Sequence, residues 1–330
     1  MARRDDAHGL ADEVAHLLRS MIPAEVWRAE WQLATGHAVA DAQHQLGKLL
    51  TFHQDVGSPI SEMFSYSLPC ASALQRIARY AGARGVIEVG AGNGLWAAFL
   101  QAAGIQTSAW DSGRAETVFP FTDEVQCGSV EGGDEELLRL LAAREVTLLL
   151  VWPPLELESS PDGRINRMAR NVLEVFGGEY IVYIGEWRDS VGIVAQLSDR
   201  THEHGQTAGA LFQAAVEASF ELVERIRTPR WPGFADDLRV YRRRRTRAAC
   251  DEDESPALVQ RHDDALIMRQ RQNAGSGVGE LGHHPRRRLQ RCCLQTRLSA
   301  LRAAGLLHSR PGAVLAAVAL ERFFSRSENQ

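Results

Sequence analysis

A short β-branched run that breaks into alternating glycines is the part of the sequence best suited to chemistry. Residues 86–89 are Val-Ile-Glu-Val, and Gly90, Gly92 and Gly94 follow before a helical pattern begins. This order predicts a strand, a tight turn and a helix start. Glycine permits a positive φ and leaves no Cβ between main chain and ligand, while N–H groups at a helix N-terminus face the same space. The stretch therefore indicates a site for a nucleotide or nucleoside.

The spacing of these residues separates the nucleotide classes. Dinucleotide-binding loops follow Gly-x-Gly-x-x-Gly, whereas here Glu88 precedes a Gly-x-Gly-x-Gly loop. This pattern resembles motif I of class I S-adenosylmethionine-dependent methyltransferases. The resemblance implies that the acidic residue helps to hold the methionine moiety and that the glycines admit the nucleoside. A nicotinamide oxidoreductase is disfavoured by the same spacing.

Two further positions fit this resemblance. Residues 105–110 predict a strand that ends in Asp111, and the resemblance implies that its carboxylate accepts hydrogen bonds from both ribose hydroxyls. Ser129 follows the expected third strand, where this fold commonly contacts the adenine; a plain turn residue is the alternative. The residues expected to contact S-adenosylmethionine are Glu88, Gly90, Ala91, Gly92, Gly94, Asp111 and Ser129.

The methyl acceptor of this class lies beyond the fourth and fifth strands. Here the fourth strand is followed by Trp152-Pro153-Pro154, which resembles the (Asp/Asn)-Pro-Pro-aromatic motif of enzymes that methylate amines. Tryptophan offers an indole donor and a π face but no oxygen acceptor. Its ring suits cation–π or stacking contact with a sulfonium or a flat acceptor, with core packing as the alternative. Nucleic-acid adenine methylation is therefore left open but is not favoured.

Three residues have side chains suited to acid–base chemistry if the acceptor is a hydroxyl or an acid. They are Glu186 at the end of the fifth strand, His53 before the cap, and Asp237. Methyl transfer to an activated carbon depends on positioning, so no general base is obligatory. For Glu186 the alternative is a loop carboxylate with structural hydrogen bonds only. The acceptor-pocket candidates are Trp152, Pro153, Pro154 and Glu186.

A longer set of segments resembles a little-characterised group of methyltransferase-like proteins with a Trp-Pro-Pro motif after the fourth strand. The segments are 88–96, 151–154, 183–186 and 229–233, together with Asp237. In that group a Pro-Met-Ala helix start usually follows closely, whereas here residues 156–166 intervene before Met168. The resemblance does not identify the methyl acceptor.

Composition is that of a globular protein. The chain has 330 residues, of which 45% are hydrophobic and 24% charged, with a net charge of -5. These values give no global signal for binding a polyanion, and no apolar stretch is long enough for a membrane helix. The five cysteines form no Cys-x-x-Cys pair and are interpreted as free thiols. We expect a cytoplasmic protein with no bound metal; His202 and His204 are interpreted as solvated rather than metal-ligating.

Alternating strand and helix patterns run from residue 86 to residue 219 and predict a doubly wound α/β sheet. Segments 220–227 and 238–242 are strand-like and joined by a short connection, which implies an antiparallel pair. We therefore expect a mostly parallel seven-stranded sheet with an antiparallel last strand. In the resembling family this strand inserts beside the fifth.

The chain divides into three expected parts. Residues 1–80 form a helical N-terminal cap, in which Phe64, Tyr66 and Pro69 either line the cofactor cleft or pack the cap. Residues 81–245 form the Rossmann-like core. Residues 246–330 form an arginine-rich extension with nine arginines against two glutamates after position 285, expected to be weakly structured, with nucleic-acid or anionic-lipid contact as the alternative.

Two functions follow from these features. The first is S-adenosylmethionine-dependent methyl transfer to an unidentified acceptor by in-line displacement. The second is a catalytically degenerate module that retains the nucleoside site and acts in protein or nucleic-acid contacts. An intact glycine loop predicts cofactor binding but does not establish transfer.

Overall fold

The computed structural model describes residues 2–20, 22–36, 41–113, 121–122, 124–156, 166–197 and 201–245. The arginine-rich extension lies outside the described residues. So does most of the segment that separates Trp-Pro-Pro from Met168. The three-part division of the chain therefore stays a prediction.

A seven-stranded sheet forms the centre of the described chain. Its strands are β1 (Val86–Val89), β2 (Thr107–Asp111), β3 (Val125–Cys127), β4 (Thr147–Val151), β5 (Tyr180–Gly185), β6 (Phe220–Arg227) and β7 (Asp237–Arg243). Their order is β3-β2-β1-β4-β5-β7-β6. Strands β1 to β5 pair in parallel, and β7 is antiparallel to both β5 and β6. The predicted sheet, including the last strand beside the fifth, is confirmed.

Ten helices accompany the sheet in the described part of the chain. They are α1 (Ala2–Ser20), α2 (Ala24–Ala34), α3 (Ala42–Phe52), α4 (Ser58–Met63), α5 (Ala71–Tyr80), α6 (Leu95–Ala102), α7 (Glu135–Ala142), α8 (Met168–Val175), α9 (Ile193–Gln196) and α10 (Ala210–Ser219), with a π-helical turn at His53–Gly57. No helix among the described residues combines the length and apolar character needed to cross a membrane.

The two faces of the sheet are covered by different helices. Along β4, Leu149 and Val151 pack into a core shared with α1, α5 and α6, whereas Leu148 and Leu150 pack into a core shared with α7, α8 and α10. Successive side chains of a strand point to opposite faces, so a strand covered on both sides is apolar throughout. This explains the unbroken hydrophobic run of residues 148–151 in β4.

The N-terminal cap is helical, as predicted, but it is divided. The sequence pattern predicts helical structure over about residues 8–50, with Pro23 in the first turn of a helix, and the structure contains α1, α2 and α3 there. Pro23 stands immediately before α2 with φ of -57°. Because proline lacks an N–H and its ring blocks the preceding turn, it interrupts one helix and begins the next.

Side-chain oxygens mark two helix starts in the core. Asp134 accepts a hydrogen bond from the Leu137 N–H at 3.0 Å at the start of α7. Asn166 accepts one from the Met168 N–H at 3.1 Å. The sequence pattern predicts a helix over residues 164–176. Residues 164 and 165 lie outside the described part of the chain, and the described helix begins at Met168.

Candidate functional site

The loop after β1 turns sharply at its glycines. Gly90, Gly92 and Gly94 have φ angles of 78°, 53° and 72°. A Cβ on Gly94 would lie 2.7 Å from Val125 Cγ2, whereas a Cβ on Gly92 would meet nothing within 4 Å. Packing therefore excludes a side chain at Gly94. At Gly92 the main chain borders open space, which lets a ligand approach it closely.

Asp111, at the end of β2, is tied to this loop. Its Oδ2 accepts a hydrogen bond from the Gly92 N–H at 2.9 Å, and its Oδ1 accepts one from the Gly113 N–H at 3.2 Å. The N–H groups of Gly90 and Ala91 both donate to the Trp110 carbonyl in β2, at 2.8 and 3.1 Å. Each carboxylate oxygen retains a further lone pair. The glycine loop and Asp111 thus form one unit with acceptor capacity left.

Glu88 lies beneath the loop and is only 1% exposed. One of its oxygens accepts a hydrogen bond from the Ala97 N–H in α6, and Oε2 has no partner among the described residues. Burial raises the pKa of Glu88 to about 8, and the nearby charge of Asp111 raises it further in the same direction. A buried oxygen without a partner is costly, so this atom fits a site that a ligand donor completes.

Ser129 shapes the turn between β3 and α7. Its Oγ accepts a hydrogen bond from the Gly132 N–H at 2.9 Å, and its carbonyl accepts one from the Asp134 N–H at 3.3 Å. These contacts are those of a turn residue. The predicted contact with adenine stays a prediction, and the partial exposure of Ser129 is compatible with it.

Trp152, directly after β4, has a φ of 48°, which is rare for a bulky residue. Its main-chain N–H donates to the Ile184 carbonyl at 2.8 Å, and its Nε1 donates to Asp236 Oδ1 at 3.0 Å. The ring stacks on Tyr66 with centroids 5.3 Å apart, and Phe234 meets it edge-on at 5.0 Å. Trp152 is partly buried, and these contacts hold its strained backbone in place.

The two prolines occupy different environments. Pro153 is buried, and its carbonyl accepts a hydrogen bond from the Ala208 N–H at 3.1 Å, whereas Pro154 is exposed. Ala208 itself has a φ of 58° and lies just before α10. The segment after β4 is therefore joined to the segment before α10.

Glu186, after β5, is completely buried. Its Oε1 accepts hydrogen bonds from the N–H groups of Gly192 at 2.9 Å and Ala235 at 3.0 Å, and its Oε2 accepts one from Gln206 at 2.7 Å. Burial raises the pKa of Glu186, and the three backbone donors oppose that rise. These contacts match the structural alternative left open above, because the carboxylate fastens three separate loops.

Asp237 begins β7 and is engaged in ion pairs. Its Oδ2 accepts a hydrogen bond from Arg225 Nε at 2.7 Å and lies 3.3 Å from Arg239 Nη2. Arg239 in turn bonds to Asp189. These contacts give Asp237 a structural role.

Asp236, which is not among the residues predicted from the sequence, is the acidic residue that contacts Trp152. It is 2% exposed, and its Oδ2 has no partner among the described residues. Burial and the nearby charge of Glu186 raise the pKa of Asp236 well above its ordinary value. The adjacent Asp236 and Asp237 could have indicated this residue from the sequence. Neighbouring residues at a strand end point to opposite faces, so the two carboxylates were bound to have different surroundings.

His53, in the π-helical turn, also contacts Phe234. Its Nε2 lies 2.6 Å from the Pro232 carbonyl oxygen. The centroids of the His53 and Phe234 rings are 4.7 Å apart. A carbonyl can only accept, so Nε2 carries the proton in this contact. Burial lowers the pKa of His53. The structure thus places a neutral imidazole beside the aromatic rings around Trp152.

Two indoles hold the cap segment next to the core. Trp96 Nε1 donates to the Ser67 carbonyl at 2.9 Å, and Trp231 Nε1 donates to the Ser65 carbonyl at 3.4 Å. Tyr66 lies between these carbonyls and is 41% exposed. The cap therefore presents Tyr66 to Trp152 from fixed main-chain anchors.

The other two cap candidates are buried. Phe64 packs against Phe121 with ring centroids 5.9 Å apart. Pro69 is also buried. These environments agree with the packing alternative for Phe64 and Pro69, and only Tyr66 reaches the rings around Trp152.

The histidine pair outside this site shows no ligand geometry. His202 Nε2 lies 3.7 Å from Glu203 Oε1, and His204 Nδ1 contacts the Gly205 carbonyl at 2.9 Å. Within the described ranges, no group of three or more His, Cys, Asp or Glu side chains could hold a metal ion.

Comparison with known proteins gives matches among solved structures only. No protein-family model and no curated protein matches the sequence. The N-methyltransferase NodS from Bradyrhizobium japonicum WM9, in complex with S-adenosyl-L-homocysteine, is 12% identical, with 53% of this chain and 85% of that chain covered and a TM-score of 0.33. The CcbJ methyltransferase from Streptomyces caelestis is 18% identical, with 58% and 98% covered and a TM-score of 0.34. The mitomycin 7-O-methyltransferase MmcR is 15% identical, with 67% and 69% covered and a TM-score of 0.34.

Strand order identifies the fold independently of those similarities. A dehydrogenase-type sheet lacks the antiparallel ending seen here, in which β7 lies between β5 and β6. The glycine loop follows β1, and the candidate acceptor residues follow β4 and β5, as ligand sites do in open α/β sheets. The chain has the class I, seven-stranded fold of S-adenosylmethionine-dependent methyltransferases.

Proposed function

We propose that this protein transfers a methyl group from S-adenosylmethionine to an acceptor bound beside the ends of β4 and β5. The observation that carries the proposal is the Gly90–Gly94 loop joined to Asp111 by the hydrogen bond from Gly92. Together they provide main-chain access, free carboxylate lone pairs and a helix N-terminus at one edge of the sheet.

The residues present fit the proposed cofactor. Asp111 would accept hydrogen bonds from the ribose hydroxyls, and the unpartnered Oε2 of Glu88 would serve the methionine end. The open space at Gly92 admits the nucleoside. The full set proposed to contact the cofactor is Glu88, Gly90, Ala91, Gly92, Gly94, Asp111 and Ser129. When bound, S-adenosylmethionine supplies a methyl group already activated by its sulfonium.

The remaining residues orient the acceptor. Trp152 presents a ring held by Tyr66 and Phe234, and Pro153 and Pro154 restrict the backbone that carries it. In this proposal Glu186 acts by fastening the loops around the site. Because the methyl carbon is activated in advance, correct placement of the two reactants supplies much of the rate.

Calorimetric titration of the full chain with S-adenosylmethionine, S-adenosylhomocysteine and NAD tests the proposal. We expect binding of the first two and none of NAD. Asp111→Ala should weaken S-adenosylmethionine binding by about 1–3 kcal/mol, since two hydroxyl partners are lost. Glu131→Gln is the matched control, because Glu131 is an exposed acid bonded to Asn171. Binding of NAD alone, or of no nucleotide, would contradict the proposal.

A further inference from the structure

The side chain of Asp236 has unused hydrogen-bonding capacity inside the protein. Oδ1 accepts a hydrogen bond from Trp152 Nε1 at 3.0 Å, whereas Oδ2 has no partner among the described residues. The side chain is 2% exposed. Leaving a buried polar atom unsatisfied costs free energy, and such atoms are ordinarily paired. The free oxygen is therefore suited to an incoming polar group.

Unlike Asp236, neither neighbouring carboxylate has a buried oxygen without a partner among the described residues. Glu186 receives three main-chain donors, and Asp237 is paired with Arg225 and Arg239. Trp152 itself can donate but has no oxygen acceptor. Asp236, immediately before β7, thus supplies an acceptor oxygen of the kind that the Trp152 side chain lacks.

The rings beside Asp236 indicate the shape of its ligand. Trp152 is stacked on Tyr66 and meets Phe234 edge-on. Tyr66 is 41% exposed, so this aromatic set extends from the surface to the buried carboxyl. Flat rings bind aromatic surfaces through stacked and edge-to-face contacts. A planar ligand can therefore contact the rings while its polar substituent reaches Asp236.

We propose that Asp236 binds the polar substituent of the methyl acceptor, and that this acceptor is an aromatic ring carrying a hydroxyl or an amino group. The inference rests on the proposed function and names the acceptor class for the same site. Burial and the nearby Glu186 raise the pKa of Asp236, which favours its neutral carboxyl form. A neutral carboxyl both donates and accepts hydrogen bonds, which suits either substituent.

Phenol and toluene are the probes, because they have nearly the same size and differ in one hydroxyl group. The full chain is labelled with 5-fluorotryptophan, saturated with S-adenosylhomocysteine and titrated with each probe while fluorine NMR is recorded. The Trp152 resonance is assigned by its loss in Trp152→Phe. We expect phenol to shift this resonance and to bind about 10-fold more tightly than toluene.

Asp236→Ala should abolish the preference for phenol, and Asp236→Asn should retain part of it, since an amide also donates and accepts. Asn is the variant used if Ala does not fold. Glu156→Gln is the matched control, because Glu156 is another carboxylate beyond β4 with an unpartnered oxygen and an ion pair to Arg170 at 3.3 Å. It should leave the preference unchanged.

Three results would overturn the inference: equal binding of the two probes by the wild type, a preference retained in Asp236→Ala, or a Trp152 resonance that neither probe shifts. Calorimetry with S-adenosylhomocysteine on the same samples separates the two levels of proposal. Cofactor binding without a phenol preference refutes the acceptor class alone. Absence of cofactor binding refutes the proposed function.

Discussion

Replacing Glu88 by Gln should change how stability depends on pH. Glu88 is buried beneath the glycine loop, and its pKa rises from 4.5 to about 8. Glutamine keeps an oxygen for the Ala97 N–H and removes the titrating group. The difference between wild type and Glu88→Gln therefore isolates the titration of one carboxyl, because all other groups are common to both proteins.

The size of the change in the free energy of unfolding follows from the raised pKa of Glu88. The folded carboxyl binds its proton more tightly than the unfolded one, so its stabilising contribution is complete below pH 4.5 and is lost as the pH rises through about 8. One pKa unit corresponds to about 1.4 kcal/mol. Between about pH 5 and about pH 9, the free energy of unfolding of the wild type should fall by about 4 kcal/mol relative to Glu88→Gln.

Urea unfolding followed by circular dichroism across this pH range measures the difference. Glu136→Gln is the matched control, because Glu136 is an exposed glutamate paired with Arg139. Its stability curve should run parallel to that of the wild type. A Glu88→Gln curve that is also parallel to the wild type, within about 1 kcal/mol, would refute the account of Glu88 as a buried group with a raised pKa.

Variants at three further positions test the loops around the site. Gly92→Ala should cost about 1–2 kcal/mol of stability because of its left-handed backbone, and it should abolish S-adenosylmethionine binding measured by calorimetry. Gly94→Ala should destabilise the protein more, because its Cβ would lie 2.7 Å from Val125 Cγ2. Equal destabilisation by the two variants would contradict the packing described for Gly94. Glu186→Ala leaves three buried N–H donors without their acceptor and should lower the free energy of unfolding by about 3 kcal/mol or more. The control Glu203→Ala, at an exposed position, should leave the free energy of unfolding unchanged. A stable Glu186→Ala would show that the loops do not depend on this carboxylate.

The cofactor half of the site could be predicted because its determinants are local. The glycines lie in a single strand–turn–helix unit, and Asp111 ends the next strand along the chain. Parallel neighbours present their carboxyl ends at the same edge, so β1 and β2 necessarily bring these residues together. The hydrogen bond from Gly92 to Asp111 follows from that adjacency.

The acceptor half could not be predicted to the same depth. Trp152 and Asp236 are 84 positions apart, and their contact depends on how the segment before β7 folds back beside β4 and β5. The sequence pattern identified Asp237 but not its neighbour, because it does not show which residue of an acidic doublet pairs with arginine. Tertiary contacts likewise decide that Glu186 binds loop amides.

The position of β7 between β5 and β6 determines when this sheet can be completed. β5 and β6 make no hydrogen bonds with each other in the described structure, and each pairs instead with β7. During synthesis, both strands leave the ribosome before their shared partner and expose unpaired edges until residues 237–243 arrive. Open edges promote association between chains. We therefore expect fragments that end before Asp237 to associate more readily than the full chain, because β5 and β6 then lack their shared partner.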